Sequence, residues 1–264
     1  MQLDDQGMAD FYENKYDPKD ILINQYVFLR NMNNEIVRKY RWTGDKFEEL
    51  KYIKFDEFAP ITDKQQCAFD LLSNPDIPIK ILAGCAGSGK TRLCMTFGLH
   101  YVMRKRYERF FVVRHNVSVG EKNGYLPGNK FEKILGWLGF FKDNLEEFAQ
   151  YTVEELYSRG TLDVDSPEFM KGRDIKNSWL LIDECEDLTE EQFKMLGERA
   201  SSGTTICFVG DYDQTTEEKY KKNCGLKRAL RTLPGNKNVG VVVFDDKEND
   251  NVRSEVSKIF TSVY

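Results

Sequence analysis

Residues 84–91, Gly-Cys-Ala-Gly-Ser-Gly-Lys-Thr, have the spacing G-x-x-x-x-G-K-[ST] of a phosphate-binding loop. Gly84, Gly87 and Gly89 allow a tight turn and bring main-chain N–H groups close to an anion without an intervening Cβ. Successive N–H groups at a helix N-terminus form an anion-binding nest. The loop residues Cys85, Ala86 and Ser88, with Arg92 just beyond, are therefore expected to line a nucleotide. Lys90 is expected to reach the β- and γ-phosphates, and the Thr91 hydroxyl to ligate Mg²⁺. An apolar run at 77–83 predicts the preceding strand, and 92–102 the following helix.

Three further segments carry matching chemistry. In SWLLIDECED, residues 178–187, an apolar strand delivers two carboxylates to its C-terminal end, the ligand-binding edge of an α/β sheet. Asp183 is the expected Mg²⁺ partner, and Glu184 is placed to polarise a water attacking the γ-phosphate. In FVGDYDQ, residues 208–214, another strand ends in polar residues, and Asp211 and Gln214 stand where a γ-phosphate sensor would be. Upstream, Gln65 or Gln66 offers an amide that can read an adenine edge; a polar helix face is the plainer reading. The absence of a guanine-reading segment also favours ATP over GTP.

These groups need a sheet to position them. Apolar runs at 109–114, 179–182, 204–209 and 239–244 add four strands to the one before the loop, separated by helical stretches. Such runs predict a parallel sheet covered on both faces. Residues 63–72 predict an amphipathic helix. Residues 24–55, rich in β-branched and aromatic side chains with turn signals at Asn33-Asn34 and Thr43-Gly44, predict a small antiparallel β-module. The expected organisation is a polar segment (1–20), the β-module (21–60) and an α/β domain (61–264).

Composition narrows the function. The 264 residues, 41% of them hydrophobic, suffice for one large core. A net charge of −5 gives no global basic signature of nucleic-acid binding. Two local clusters remain: Arg104, Lys105, Arg106 and Arg109, and Lys219, Lys221, Lys222, Lys227, Arg228 and Arg231 around Tyr220. Either reads as a solvated face or as a path for a single strand, with bases stacking on Tyr220. Six widely spaced cysteines without a CxxC pair argue against zinc and for a reducing cytoplasm. No apolar stretch is long enough to span a membrane.

Taken together the segments resemble the PhoH family of P-loop ATPases, which is related to superfamily 1 helicases. Beyond the P-loop, Gly124, Leu126, Pro127, Gly128, Glu132 and Lys133 match a family Gly-[YF]-Leu-Pro-Gly core and its Glu-Lys. Residues 180–203 resemble its Asp-Glu-Ala-Gln-Asn block with a trailing Arg, 210–214 its Gly-Asp-x-x-Gln, Gly225-Leu226 its Ser-Gly-Leu, and 250–254 its Asp-x-Val-Arg-Ser. His115, Cys224 and Cys185-Glu186-Asp187 depart from the pattern. The last departure puts in doubt the coupling role of the family's Gln. The resemblance implies a RecA-like fold, ATP and Mg²⁺ as ligands, and a homohexameric ring. It implies two charge-stabilising arginines, Arg253 near the phosphates and Arg199 across a subunit boundary. It raises single-stranded RNA or DNA as a partner, with the 125–127 loop lining a channel. The rival expectations are a nucleotide-switched scaffold and a small-molecule kinase; Glu184 and Gly-Asp-x-x-Gln favour hydrolysis.

Overall fold

In the computed structural model the described residues are 7, 10, 11, 18–56, 58–114, 152–214, 223–245 and 250–252. Six parallel strands form the central sheet: β4 (Ile79–Gly84), β5 (Arg109–Arg114), β6 (Leu162–Asp165), β7 (Ser178–Asp183), β8 (Thr205–Gly210) and β9 (Val239–Phe244), in the order β6-β5-β7-β8-β4-β9. The chain leaves β4 in one direction to reach β5 and finally places β9 on its other side. The C-terminal end of β4 thus lies at a change of direction, where open α/β sheets bind ligands.

Side chains alternate along each strand and so build two cores. Leu82, Val112, Leu181, Val209 and Val242 pack under α1 (Asp63–Ser73), α2 (Lys90–Met103) and α3 (Val153–Ser158). On the other face Ile81, Val113, Ile182 and Phe208 pack under α4 (Glu190–Gly197) and α5 (Gly225–Thr232). This is the parallel sheet covered on both faces that the apolar runs predict, in the RecA-like P-loop architecture that the family resemblance implies. The edge strand β6, Leu-Asp-Val-Asp, carries no continuous apolar run and was not expected. Its two aspartates share one cation, Arg173, at 3.0 Å from Asp163 and 2.8 Å from Asp165, which helps a half-acidic segment pair with β5.

Helix α1 sets the approach to the loop. The Thr62 hydroxyl caps its N-terminus by accepting the Gln65 amide at 3.1 Å. At its C-terminal end the ammonium of Lys80, 1% exposed, donates to the carbonyls of Leu71, Asn74 and Ile77 at 2.6–2.8 Å, and Tyr101 donates to Leu72 and Ser73. Carbonyls that a helix end leaves orphaned are thereby satisfied. Burial pushes the Lys80 ammonium down to about 8, against which the three carbonyls favour its charged form.

The β-module is an antiparallel sheet of β1 (Tyr26–Arg30), β2 (Ile36–Trp42) and β3 (Phe47–Glu49). It is bonded to the α/β core through Asp70 of α1, which accepts from Tyr26 Oη (3.0 Å), Arg41 Nε (3.0 Å) and the Lys51 amide (2.8 Å). Asn24 also donates its amide to the carbonyls of Lys237 and Val239. Among the described residues no helix is long and apolar enough to cross a membrane.

Candidate functional site

The loop between β4 and α2 contains the positive backbone angles its glycines anticipate: φ is +109° at Gly84, +80° at Gly87 and +82° at Gly89. At Gly84 the tight neighbour is protein: an added Cβ would fall 2.0 Å from the Phe244 carbonyl oxygen. That carbonyl accepts the Cys85 amide at 3.1 Å, so the loop begins in register with the end of β9. Ser88 is buried, and its hydroxyl donates to the Cys85 carbonyl at 2.9 Å. Lys90 lies in the curl of the loop, donating to the carbonyls of Gly84 (2.7 Å) and Cys85 (2.6 Å). Burial pushes its pKa down, opposed chiefly by Asp211.

Strand β7 supplies the opposing wall. Thr91 Oγ1 donates to Asp183 Oδ1 at 2.9 Å, joining residues far apart in the chain. Burial and then the neighbouring Glu184 raise the Asp183 carboxyl to about 6, with Arg114 and Thr91 opposing. A hydroxyl and one carboxylate suit Mg²⁺, a hard cation that commonly takes one or two protein oxygens plus substrate phosphates and water. Among the described residues no group of three or more His, Cys, Asp or Glu forms a metal cluster. Lys90, whose hydrogen bonds go to two carbonyls and a hydroxyl, fits a phosphate partner.

Glu184 sits in the left-handed region, φ +54° and ψ +48°, at the turn after β7. For a non-glycine residue this is a strained conformation of the kind that gathers at functional sites. Its carboxylate accepts from Arg114 at 2.6 Å, and the same guanidinium lies 3.7 Å from Asp183. Arg114 pairs in register with Asp183 across β5 and β7. Sequence reasoning treats Arg114 only as the basic end of a strand; a cation ending an apolar strand at the same sheet edge as Asp183 is the available signal.

The third wall is the end of β8. Asp211, 7% exposed, has its pKa raised by burial and lies near Lys90 and the Ala86 amide. Gln214 is exposed at the rim, its main-chain N–H donating to the Asp211 main-chain carbonyl. Together these residues line a cleft of about 290 Å³. A wider groove of about 740 Å³ between α4 and α5 is lined by Phe193, Ile206, Phe208 and Ala229 and holds none of the phosphate-directed groups.

Other expected residues lie as follows. Gln65 is 5% exposed and uses both ends of its amide on the main chain: Oε1 accepts from Ile61 N at 2.7 Å, and Nε2 donates to the Ser88 carbonyl at 3.0 Å. It braces the loop against α1, and an adenine edge would have to displace one of these bonds. Gln66 instead accepts from Lys39. Arg92 places its guanidinium over the Phe58 ring at 5.3 Å. Arg199 lies at the opposite sheet edge from its own P-loop, donating to the carbonyls of Met195 and Arg173. Arg253, with residues 115–151 and 215–222, lies outside the described residues, as do Tyr220 and the 125–127 loop. The chain reaches the P-loop one residue before Arg253: the Val252 amide donates to the Gly87 carbonyl at 3.0 Å.

Known proteins are similar to this chain in sequence. Protein PhoH2 of Bacillus subtilis (strain 168) is 35% identical over 176 residues, which is 62% of this chain and 40% of the relative. A PhoH-like protein of Synechocystis sp. is 33% identical over 212 residues, 80% of this chain and 57% of the relative. The chain thus spans about half the length of these curated relatives. Among solved structures, the ADP complex of a large terminase from a thermophilic bacteriophage aligns over 72% of this chain and 45% of its own, at 15% identity and a TM-score of 0.41. A family model described as PhoH-like protein matches residues 57–264. With the phosphate loop and both carboxylate strands inside that match, the chain belongs to the PhoH-like family.

Proposed function

We propose that this chain binds ATP with Mg²⁺ and hydrolyses it to ADP and phosphate, and that turnover is coupled to remodelling or unwinding of single-stranded RNA or DNA. The observation that carries the hydrolytic reading is the Thr91–Asp183 pair at the foot of the P-loop, with Glu184 next in the chain and held by Arg114. Loop N–H groups and Lys90 bind the phosphates. Thr91 and Asp183 hold the ion, which when bound neutralises charge on the phosphate oxygens. Glu184 accepts the proton of the water that attacks the γ-phosphorus as the bond to the ADP oxygen breaks. Gln214 contributes its amide at the rim, and Arg253, one residue past the loop contact of Val252, adds positive charge.

Arg199 serves a neighbouring copy in a head-to-tail ring of six. Its place on the edge away from its own P-loop supports this, because such an interface sets unlike edges of successive subunits together. The exposed Arg104, Lys105, Arg106 and Arg109, at the same edge, support a path for a phosphate backbone.

The test is steady-state ATP turnover with Mg²⁺, with and without single-stranded RNA and DNA. Lys90→Ala abolishes productive binding. Glu184→Gln retains binding and lowers turnover by roughly 100-fold or more, the range of general-base catalysis. Unchanged turnover in both variants would end this account. Turnover indifferent to both strands would favour a nucleotide-switched assembly, and turnover per subunit unaffected by dilution below the assembly range would remove the ring.

A further inference from the structure

The chain around β9 meets the P-loop twice. At the end of the strand the Phe244 carbonyl accepts the Cys85 amide at 3.1 Å. Beyond it the chain turns back, and the Val252 amide donates to the Gly87 carbonyl at 3.0 Å. Asp250, 1% exposed, closes that turn. Its Oδ2 accepts the Asp245 amide at 3.0 Å, and its own amide donates to the Asp245 carbonyl at 3.4 Å.

The second contact falls where the loop is softest. Gly87 and Gly89, both at positive φ, flank Ser88. Glycine occupies positive and negative φ about equally well, so the two peptide units that meet at Ser88 have little orientation of their own. Donors from outside the loop fix both. Val252 holds the Gly87 carbonyl, and Gln65 Nε2 holds the Ser88 carbonyl at 3.0 Å. Every described peptide bond is trans, and in a trans unit the N–H points opposite to the C=O. The Ser88 N–H is therefore turned away from the C-terminal segment, and the Gly89 N–H away from the Gln65 amide. Both belong to the main-chain donors with which such a loop cradles phosphate.

We propose that Asp250 is a positioning residue for the phosphate cradle: by closing the turn after β9 it sets the Val252 amide on the Gly87 carbonyl, and through that bond aims the Ser88 N–H at the nucleotide. The role rests on the nucleotide-binding part of the reading above and needs no hydrolysis. Coupling of this kind is reciprocal. A nucleotide that uses the aimed N–H holds the turn closed by the same factor that the closed turn contributes to its affinity. The chain leading to Arg253 is thereby tied to the state of the P-loop.

Calorimetry with ADP and Mg²⁺ reads the role without turnover. Asp250→Ala weakens ADP binding by roughly tenfold, equivalent to about 1.4 kcal/mol. Asp250→Asn keeps an oxygen for the Asp245 amide and stays within about threefold of wild type. Gln65, which holds the next carbonyl, is intact in both variants.

Asp250 is buried, so the Ala variant also loses stability, and hydrogen exchange in the wild-type chain gives a second measurement. Saturating ADP slows exchange of the Val252 amide by about the same tenfold, as reciprocity requires. Equal ADP affinity in wild type and Asp250→Ala would overturn the proposal. So would an Asn variant as weak as the Ala variant, or a Val252 amide whose exchange ADP leaves unchanged. A wild-type chain that binds no ADP would instead retire the nucleotide-binding reading, and the positioning role with it.

Discussion

Removing the Asp70 carboxylate tests whether the β-module is a structural part of the ATPase core. Asp70 accepts three hydrogen bonds from the module and the irregular segment that follows it, while belonging to α1. In Asp70→Ala the Tyr26 hydroxyl and the Lys51 amide lose their acceptor, at about 1 kcal/mol each. Arg41, with its side chain 9% exposed, loses a charged partner but keeps Glu48 and Asn24 at 3.2 Å, which limits its share to about 2 kcal/mol. Relief of the carboxylate's own burial offsets part of this, leaving about 3 kcal/mol. For a chain of this size that lowers Tm by about 9 °C, at roughly 3 °C per kcal/mol. Urea unfolding followed by far-UV circular dichroism reads the loss. Asp70→Asn keeps acceptor capacity without the charge and falls between. Crossing Asp70→Ala with Tyr26→Phe should show coupling of about 1 kcal/mol, as expected for residues in contact. Because α1 also carries the Gln65 brace on Ser88, nucleotide affinity should fall with stability. A loss below about 1 kcal/mol with full additivity would refute the hub.

Three further outcomes follow from the same geometry. Gly84→Ala forces φ +109° on a residue with a Cβ and drives it into the Phe244 carbonyl; it should cost about 3 kcal/mol or more and weaken ATP binding at least tenfold, as read by calorimetry. Lys80→Met leaves three carbonyls without their buried donor, and a loss of about 3 kcal/mol in urea unfolding is expected. Burial holds the Asp183 carboxyl up at about 6. Mg²⁺ must displace that proton, so apparent Mg²⁺ affinity should rise with pH by up to tenfold per unit below about 6 and level off above it. The sign for folding is the reverse: a carboxyl whose folded pKa is raised contributes stability in acid, lost as pH climbs from 3.8 to about 6. A Mg²⁺ affinity that is flat from pH 5 to 8 would contradict the placement of Asp183.

Much of the site was legible because it depends on local chemistry. The P-loop needs glycine where φ is positive, a lysine and a hydroxyl at one spacing, and an apolar strand before it. Those requirements are written in eight consecutive residues, and all three glycines adopt the anticipated angles. Apolar runs likewise revealed β4, β5, β7, β8 and β9, since strands buried on both faces have little polar character. Edge strand β6 escaped because its aspartates depend on Arg173, a residue outside the strand.

Sequence alone named Lys90, Thr91, Asp183 and Glu184 at the C-terminal edge of the sheet, though not Arg114. Tertiary structure decided how they pair. Strand register sets Arg114 against Asp183, and the strand order brings Thr91 to a carboxylate of β7 although β8 lies between β7 and β4. Gln65, a possible adenine reader by residue type, is turned onto the backbone by the packing of α1 against the loop. Glu186, legible only as a departure from a family pattern, is buried and accepts the Asp211 amide at 3.0 Å because the turn after β7 packs against the end of β8. Spacing along a chain records local geometry. Distance, burial and charge between remote segments exist only once the sheet has formed.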